Sequence, residues 1–242
     1  MSSGDSVTQG TGDTTTPAEP TVGIVGGTGP AGTALAVRLA STGLTVRLGS
    51  RDAHKAATVA AAIKADWGDR THPVDGVDNA AACDSDIVVL AVAADSMIDT
   101  ARQLARELRG RVVVCMGNQL TRTARGFAAV LPAGHSLAEA VQAVAPDAHI
   151  VGAYQNLPAA SLGDLDGSID AHVVVCGDDA VAVRAVMDLT ARVPGLHPLD
   201  GGPLANAVAI EAMTAVLVNV NRSLKGEHTL HITHLHPDPV AP

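Results

Sequence analysis

Aromatic residues are almost missing: Trp67, Phe127 and Tyr154 are the only three in 242 residues. The core must therefore be aliphatic, and an apolar content of 47% supplies it, whereas modules that stack bases on exposed rings lose their equipment. Positive charge is also scarce. The formal net charge is −9, which argues against nucleic acid as a partner. Cysteine is limited to Cys83, Cys115 and Cys176, odd in number and far apart. They read as buried thiols of a reducing cytoplasm, not as a disulfide framework. Met1 to Pro20 is built from Ser, Thr, Gly, Asp and Pro without an apolar stretch, so it is expected to be a disordered tail and not a signal peptide. The most apolar later stretch, Ala205 to Val220, is interrupted by Asn206, Glu211 and Asn219 and reads as a buried helix, not a membrane span. There is no G-x-S-x-G nucleophile elbow and no His-Glu-x-x-His zinc helix.

What is present is a glycine turn. The apolar run Val22 to Val25 leads into Gly26-Gly27-Thr28-Gly29-Pro30-Ala31-Gly32, and a helical pattern follows from Ala34 to Leu39. Gly27, Gly29 and Gly32 fill G-x-G-x-x-G between a strand and a helix. In that order they allow the tight turn, close approach of a pyrophosphate, and helix-to-sheet contact. The helix opening near Pro30 points free N–H groups and its positive dipole end at the phosphates. About 20 residues further on, an NAD site carries a carboxylate for the ribose 2′-hydroxyl, but here the chain reads Gly49-Ser50-Arg51 with Lys55 one helical turn later. An Arg fork, a hydroxyl and a Lys suit a 2′-phosphate, with Thr28 near enough to add its own hydroxyl. The stretch from Arg47 to Lys55 holds three cations against the single carboxylate of Asp52. The reading is NADP; the bland alternative makes Arg51 and Lys55 a solvated helix face.

Downstream, strands are expected near Thr45–Gly49, Pro73–Val77, Asp86–Val92, Arg111–Cys115 and His149–Tyr154, with helices between them, and Met116–Gly134 as a long loop. Alternating strands and helices specify an α/β fold, a Rossmann-type doubly wound parallel sheet. A small C-terminal α+β domain follows, with strands at His172–Cys176 and His197–Leu199, helices at Ala180–Val193 and Ala205–Val220, and an edge strand at Thr229–Leu235. The expected division is a tail at 1–20, a nucleotide domain at 21–154, a second domain at 155–236 and a tail at 237–242.

Separated stretches resemble one family, the NADP oxidoreductases that use the deazaflavin coenzyme F420: Val22–Gly32, Leu48–Ala56, Asp86–Arg102, Asn156–Asp166, Val173–Asp179 and Gly195–Ala207. The resemblance implies hydride transfer between NADP(H) and F420. It places Thr28, Gly29, Pro30 and Ala31 at the pyrophosphate and Ser50, Arg51 and Lys55 at the 2′-phosphate. Val92, Asn118 and Ala159 would line the nicotinamide, and Pro203, Leu204, Asn206 and Leu230 the deazaflavin. The chain departs from the family pattern in its extended N-terminal tail, its His-rich end, and at Gln155, where relatives carry His.

Such a reaction needs no protein nucleophile, so no catalytic residue is expected; the cofactors carry the chemistry and the protein supplies proximity. Gln155 or Asn156 is a candidate polar neighbour for the deazaflavin ring, and Tyr154 is either a ligand neighbour or a core residue. His228, His231, His234 and His236 are expected to form a solvated edge without a metal. The rival readings are an NADP-dependent imine or β-hydroxyacid reductase, which usually adds a larger all-helical domain, and an NADPH-binding sensor without turnover. The expected partners are small molecules, with no nucleic acid and no membrane. A homodimer packed across the apolar helix is also expected.

Overall fold

A computed structural model describes residues 19–132 and 135–233. Most of the expected N-terminal tail, all of 237–242, and His234, Leu235 and His236 lie outside the described residues. The chain opens with β1 (Val22–Val25), α1 (Pro30–Ala40), β2 (Val46–Ser50), α2 (Ala53–Trp67), β3 (Val74–Asp78), α3 (Asn79–Ala82), β4 (Ile87–Leu90), α4 (Ala94–Gln103) and β5 (Val112–Cys115). A small antiparallel pair, β6 (Leu120–Thr123) and β7 (Gly126–Ala129), precedes α5 (Leu137–Val144) and β8 (His149–Gly152). The parallel strands lie in the order β3-β2-β1-β4-β5-β8, the Rossmann arrangement. Every residue of β1 and β4 is buried, because helices cover both faces of a parallel sheet. Local chemistry sets the helix ends. Asp52 caps α2 by accepting from the amides of His54 and Lys55, and Ser136 and Glu139 form a capping box at α5.

The remainder contains α6 (Ala159–Gly163), β9 (Ala171–Gly177), α7 (Ala180–Ala191), β10 (Leu196–Asp200), a 3-10 turn at Leu204–Asn206 and α8 (Ala207–Leu224). The strands expected in the second unit continue the sheet order past β8. β9 pairs antiparallel with β8 through only Val151 with Gly177 and Gly152 with Cys176, and β10 runs parallel to β9. The first residues of β9 therefore rise beside the carboxyl ends of the parallel strands. Its far end lies near the start of β8, where Asp179 meets His149 at 3.1 Å.

Three expectations change. The loop expected after Met116 contains the β6–β7 hairpin, docked on α8: Asn219 accepts from the Phe127 amide through Oδ1 and donates to its carbonyl through Nδ2, both at 2.8 Å. A Cβ at Gly126 would meet Asn219 Oδ1 at 2.2 Å, so this contact requires glycine. Secondly, α8 is not a buried helix: Val216 and Leu224 are 54% and 64% exposed. It is long and apolar enough to cross a membrane, yet its polar residues Glu211, Asn219 and Asn221 all bond the rest of the chain. Thirdly, 229–233 is not a strand. Leu230 O accepts from the His172 amide and the Ile232 amide donates to His172 Nδ1. Ile232 and His231 are both exposed, and the His231 ring packs edge-on against His172 and lies 3.4 Å from Asp170. Among the described residues no group of three or more His, Cys, Asp or Glu is arranged to hold a metal.

Candidate functional site

The carboxyl ends of β1, β2, β4, β5 and β8 share one edge, because all are parallel, and the glycine turn sits at its centre. Gly27 donates to the carbonyls of Gly49, at the end of β2, and of Ile24, at 2.8 and 3.1 Å. Gly26 adopts φ +72, and a Cβ there would lie 2.4 Å from Val92 Cγ1. A Cβ at Gly32 would lie 2.7 Å from Gly27 Cα, so the start of α1 rests directly on the turn. At Gly29 the nearest atom would be 3.7 Å away, which leaves an open hollow. Among the described residues no acceptor faces the amides of Thr28, Ala31 or Gly32. Free amides, a hollow and the positive end of an 11-residue helix together make an anion cradle.

Ser50, Arg51 and Lys55 stand beside it at the end of β2 and the start of α2. Arg51 and Lys55 are exposed and form no ion pair among the described residues. The nearby Asp52 carboxylate is occupied in capping α2. Arg47, counted in the local cation excess, is not available: its Nη1 lies 3.6 Å from Asp84 Oδ2 and also donates to the Asp84 carbonyl.

Further along this edge Asn118 Nδ2 donates to the Gln155 carbonyl at 3.3 Å, and that oxygen also accepts from Thr214 Oγ1 of α8. Gln155 does not reach out toward a ring. Its side chain is buried and donates to Cys115 O at 3.1 Å. The preceding residue, Tyr154, has φ +70, a region that costs a bulky residue about 1–3 kcal/mol. Tyr154 is a core residue: it is buried, its hydroxyl meets Thr190 Oγ1 at 2.8 Å, and burial pushes its pKa up to about 12. Asn156 spends its Nδ2 on Ile210 O and Thr214 Oγ1 of α8.

Ala159 opens α6, which is clamped to α1. Arg38 of α1 donates to the carbonyls of Leu162, Ser161 and Asp164 at 2.8, 2.9 and 2.6 Å, a cation at a helix C-terminus. Burial lowers the pKa of this guanidinium. Glu227 accepts from Ser161 on the same helix, which brings the 227–233 segment, with Leu230, to this edge.

Pro203, Leu204 and Asn206 lie at the 3-10 turn between β10 and α8. The Leu204 amide donates to Asp178 Oδ1 and Gly202 O accepts from Gly177, and a Cβ at Gly152, the last residue of β8, would meet Ala207 Cβ at 2.9 Å. These three residues thus lead into α8, whose first residue packs on the carboxyl end of β8. Two supports of the turn are invisible in the sequence: Asn79, whose Oδ1 accepts from the Gly26 amide at 3.1 Å, and Thr33, whose hydroxyl donates to Gly27 O at 2.9 Å. An Asn directly after Asp78 reads locally as part of a helix cap, so only the fold reveals the first contact.

The model of the family described as NADP oxidoreductase, coenzyme F420-dependent, matches residues 21–119. A protein of Methanocaldococcus jannaschii named F420-dependent NADP reductase is 36% identical over 221 residues, covering 88% of this chain and 98% of that one. A protein of the same name from Methanothermobacter marburgensis is 28% identical over 211 residues, covering 83% and 92%. The crystal structure of a chain from Arthrobacter sp. FB24 superposes with a TM-score of 0.73 at 24% identity, covering 89% of this chain and 100% of that one; at that identity the likeness concerns the fold alone.

Proposed function

The chain belongs to the family of F420-dependent NADP reductases, and from that premise we propose how its residues carry hydride between NADP(H) and coenzyme F420. The observation that carries the reading is the anion cradle at the head of α1 flanked by two cations without ion-pair partners among the described residues, Arg51 and Lys55. The amides of Thr28, Ala31 and Gly32 hold the pyrophosphate, with Gly29 and Pro30 shaping the turn. Ser50, Arg51 and Lys55 hold the 2′-phosphate. Val92, Asn118 and Ala159 bound the nicotinamide end, and Leu230 borders the deazaflavin. Pro203, Leu204 and Asn206, at the head of α8, line the deazaflavin with Leu230.

The two cofactors supply the hydride chemistry when bound. The protein has to hold two rings at about 3–3.5 Å with water excluded. A small side chain at Ala159 permits that approach, and Asn118 and Asn156, whose Nδ2 atoms donate to the chain, offer carboxamide oxygens as acceptors. Residues 21–154 are assigned to the nucleotide and 155–236 to the deazaflavin. The exposed apolar face of α8, with Val216 and Leu224, is assigned to a second copy of the chain in the cytoplasm, with neither nucleic acid nor membrane as partner.

Mixing the protein with NADPH and oxidised F420 should bleach the visible deazaflavin band. Tight NADPH binding with no bleaching in either direction would support the sensor reading instead. Arg51→Ala should raise the NADPH KM tenfold or more, since a charge-assisted hydrogen bond contributes about 1.5–3 kcal/mol. At saturation kcat should change little, because the lost contact is made equally in ground and transition states. Steady-state kinetics with NADPH and NADH check this; an unchanged preference for NADPH would remove Arg51 from the 2′-phosphate.

A further inference from the structure

Asn79 occupies a position that the nucleotide reading leaves unexplained. It is the first residue of α3, immediately after Asp78, which lies across the β2–β3 ladder from Ser50. Its Oδ1 accepts from the amide of Gly26 at 3.1 Å. On the other side, a Cβ at Gly49 would come within 3.1 Å of the same oxygen. The carboxamide thus stands between the first glycine of the turn and the end of β2, where the adenosine half of a dinucleotide crosses the sheet edge. Oδ1 is committed to Gly26, which fixes the amide orientation. Nδ2 has no partner among the described residues, and it is not among the enclosed unpaired atoms. It is therefore a free donor at the edge where Ser50, Arg51 and Lys55 gather.

We propose that Asn79 determines dinucleotide specificity, its Oδ1 locking the glycine turn through Gly26 while Nδ2 donates to the adenosine ribose and its 2′-phosphate. The proposal rests on the NADP reading of the cradle and is independent of the deazaflavin. A carboxylate in the same shape would keep the Gly26 contact and face the 2′-phosphate with like charge, a repulsive element that discriminates against NADPH alone.

The test is direct titration of the intact protein with NADPH and with NADH, followed by nicotinamide fluorescence, without F420. Asn79→Asp should raise the NADPH Kd by about thirtyfold or more and leave the NADH Kd within about threefold. Asn79→Ala loses both contacts and should weaken both dinucleotides, NADPH more. Thermal melting of each variant establishes that it is folded; Asn79→Ser, neutral and small, replaces any variant that is not, and should also weaken NADPH more than NADH. Equal losses for the two dinucleotides in Asn79→Asp would reduce Asn79 to a structural prop and overturn the proposal, as would an unchanged NADPH Kd. Failure of the parent protein to prefer NADPH would instead strike the NADP reading itself.

Discussion

Ala159→Leu is expected to slow single-turnover hydride transfer from NADPH to oxidised F420 by about a hundredfold while NADPH affinity stays within a few-fold. The surroundings of this residue cannot easily move. Ala159 is the first residue of α6, and Arg38 grips the carbonyls of Ser161, Leu162 and Asp164 at the other end of that helix. Gly163 lies so close to Ala34 of α1 that a Cβ there would be 3.2 Å away. With α6 held against α1, and α1 carrying the cradle, added side-chain volume at Ala159 enters the space between the rings on the proposed assignment of this residue to the nicotinamide end. An oriented reaction loses on the order of a hundredfold for a displacement of about 1 Å. Stopped-flow absorbance at saturating NADPH measures the step, and a parental rate in the variant would show that Ala159 does not face the rings.

The second large effect is on stability. Glu211 of α8 is buried and accepts from the amides of Leu137 and Ala138 at 2.7 and 3.0 Å, where α5 begins. Burial pushes its pKa up, to about 7, against the pull of those amides. Since the folded value lies above the unfolded one, the folded protein binds the extra proton. Its contribution is complete below about pH 4.5 and is lost as pH rises toward 7. A shift of this size corresponds to about 3 kcal/mol. Urea unfolding of the parent should therefore show stability falling across that window, and Glu211→Gln should flatten the slope. Glu211→Ala leaves two amides without their acceptor and is expected to cost several kcal/mol at pH 5, at about 1–3 kcal/mol per orphaned group. A parental pH slope in Glu211→Gln would place the titration elsewhere.

The parts of the fold that are legible in the sequence are those set by neighbouring residues. The run Ile87–Leu90 marks a doubly buried strand, Gly27, Gly29 and Gly32 mark the cradle, and Asp52 and Ser136 mark helix starts. Features decided by distant partners stay hidden. Whether β9 joins the main sheet or a separate one depends on its pairing with Val151 and Gly152, and no local pattern records that pairing. The β6–β7 hairpin is polar along much of its length and exists against Asn219, 92 residues from Phe127. Arg47 looks like part of a basic patch because nothing local shows Asp84 approaching it. Gln155 looks like a ring contact because the sequence alone does not show its bond to Cys115 O, and the left-handed turn at Tyr154, a conformation a bulky residue seldom adopts, cannot be anticipated from alternation either.

The hydrophobic interior has a bearing on how the two cofactor sites communicate. One continuous cluster runs from Ile24 and Leu35 beneath the nucleotide cradle to Val173, Val186 and Leu196 in the part assigned to the deazaflavin. The backbone ladder between the two parts is short, but the side chains make no break. The chain should accordingly melt as one cooperative unit, not two. By mass action, a dinucleotide bound only at the β1 turn then stabilises the whole chain, including residues it never touches. On the proposed assignment, the wall that receives the second ring would be held firm by the arrival of the first.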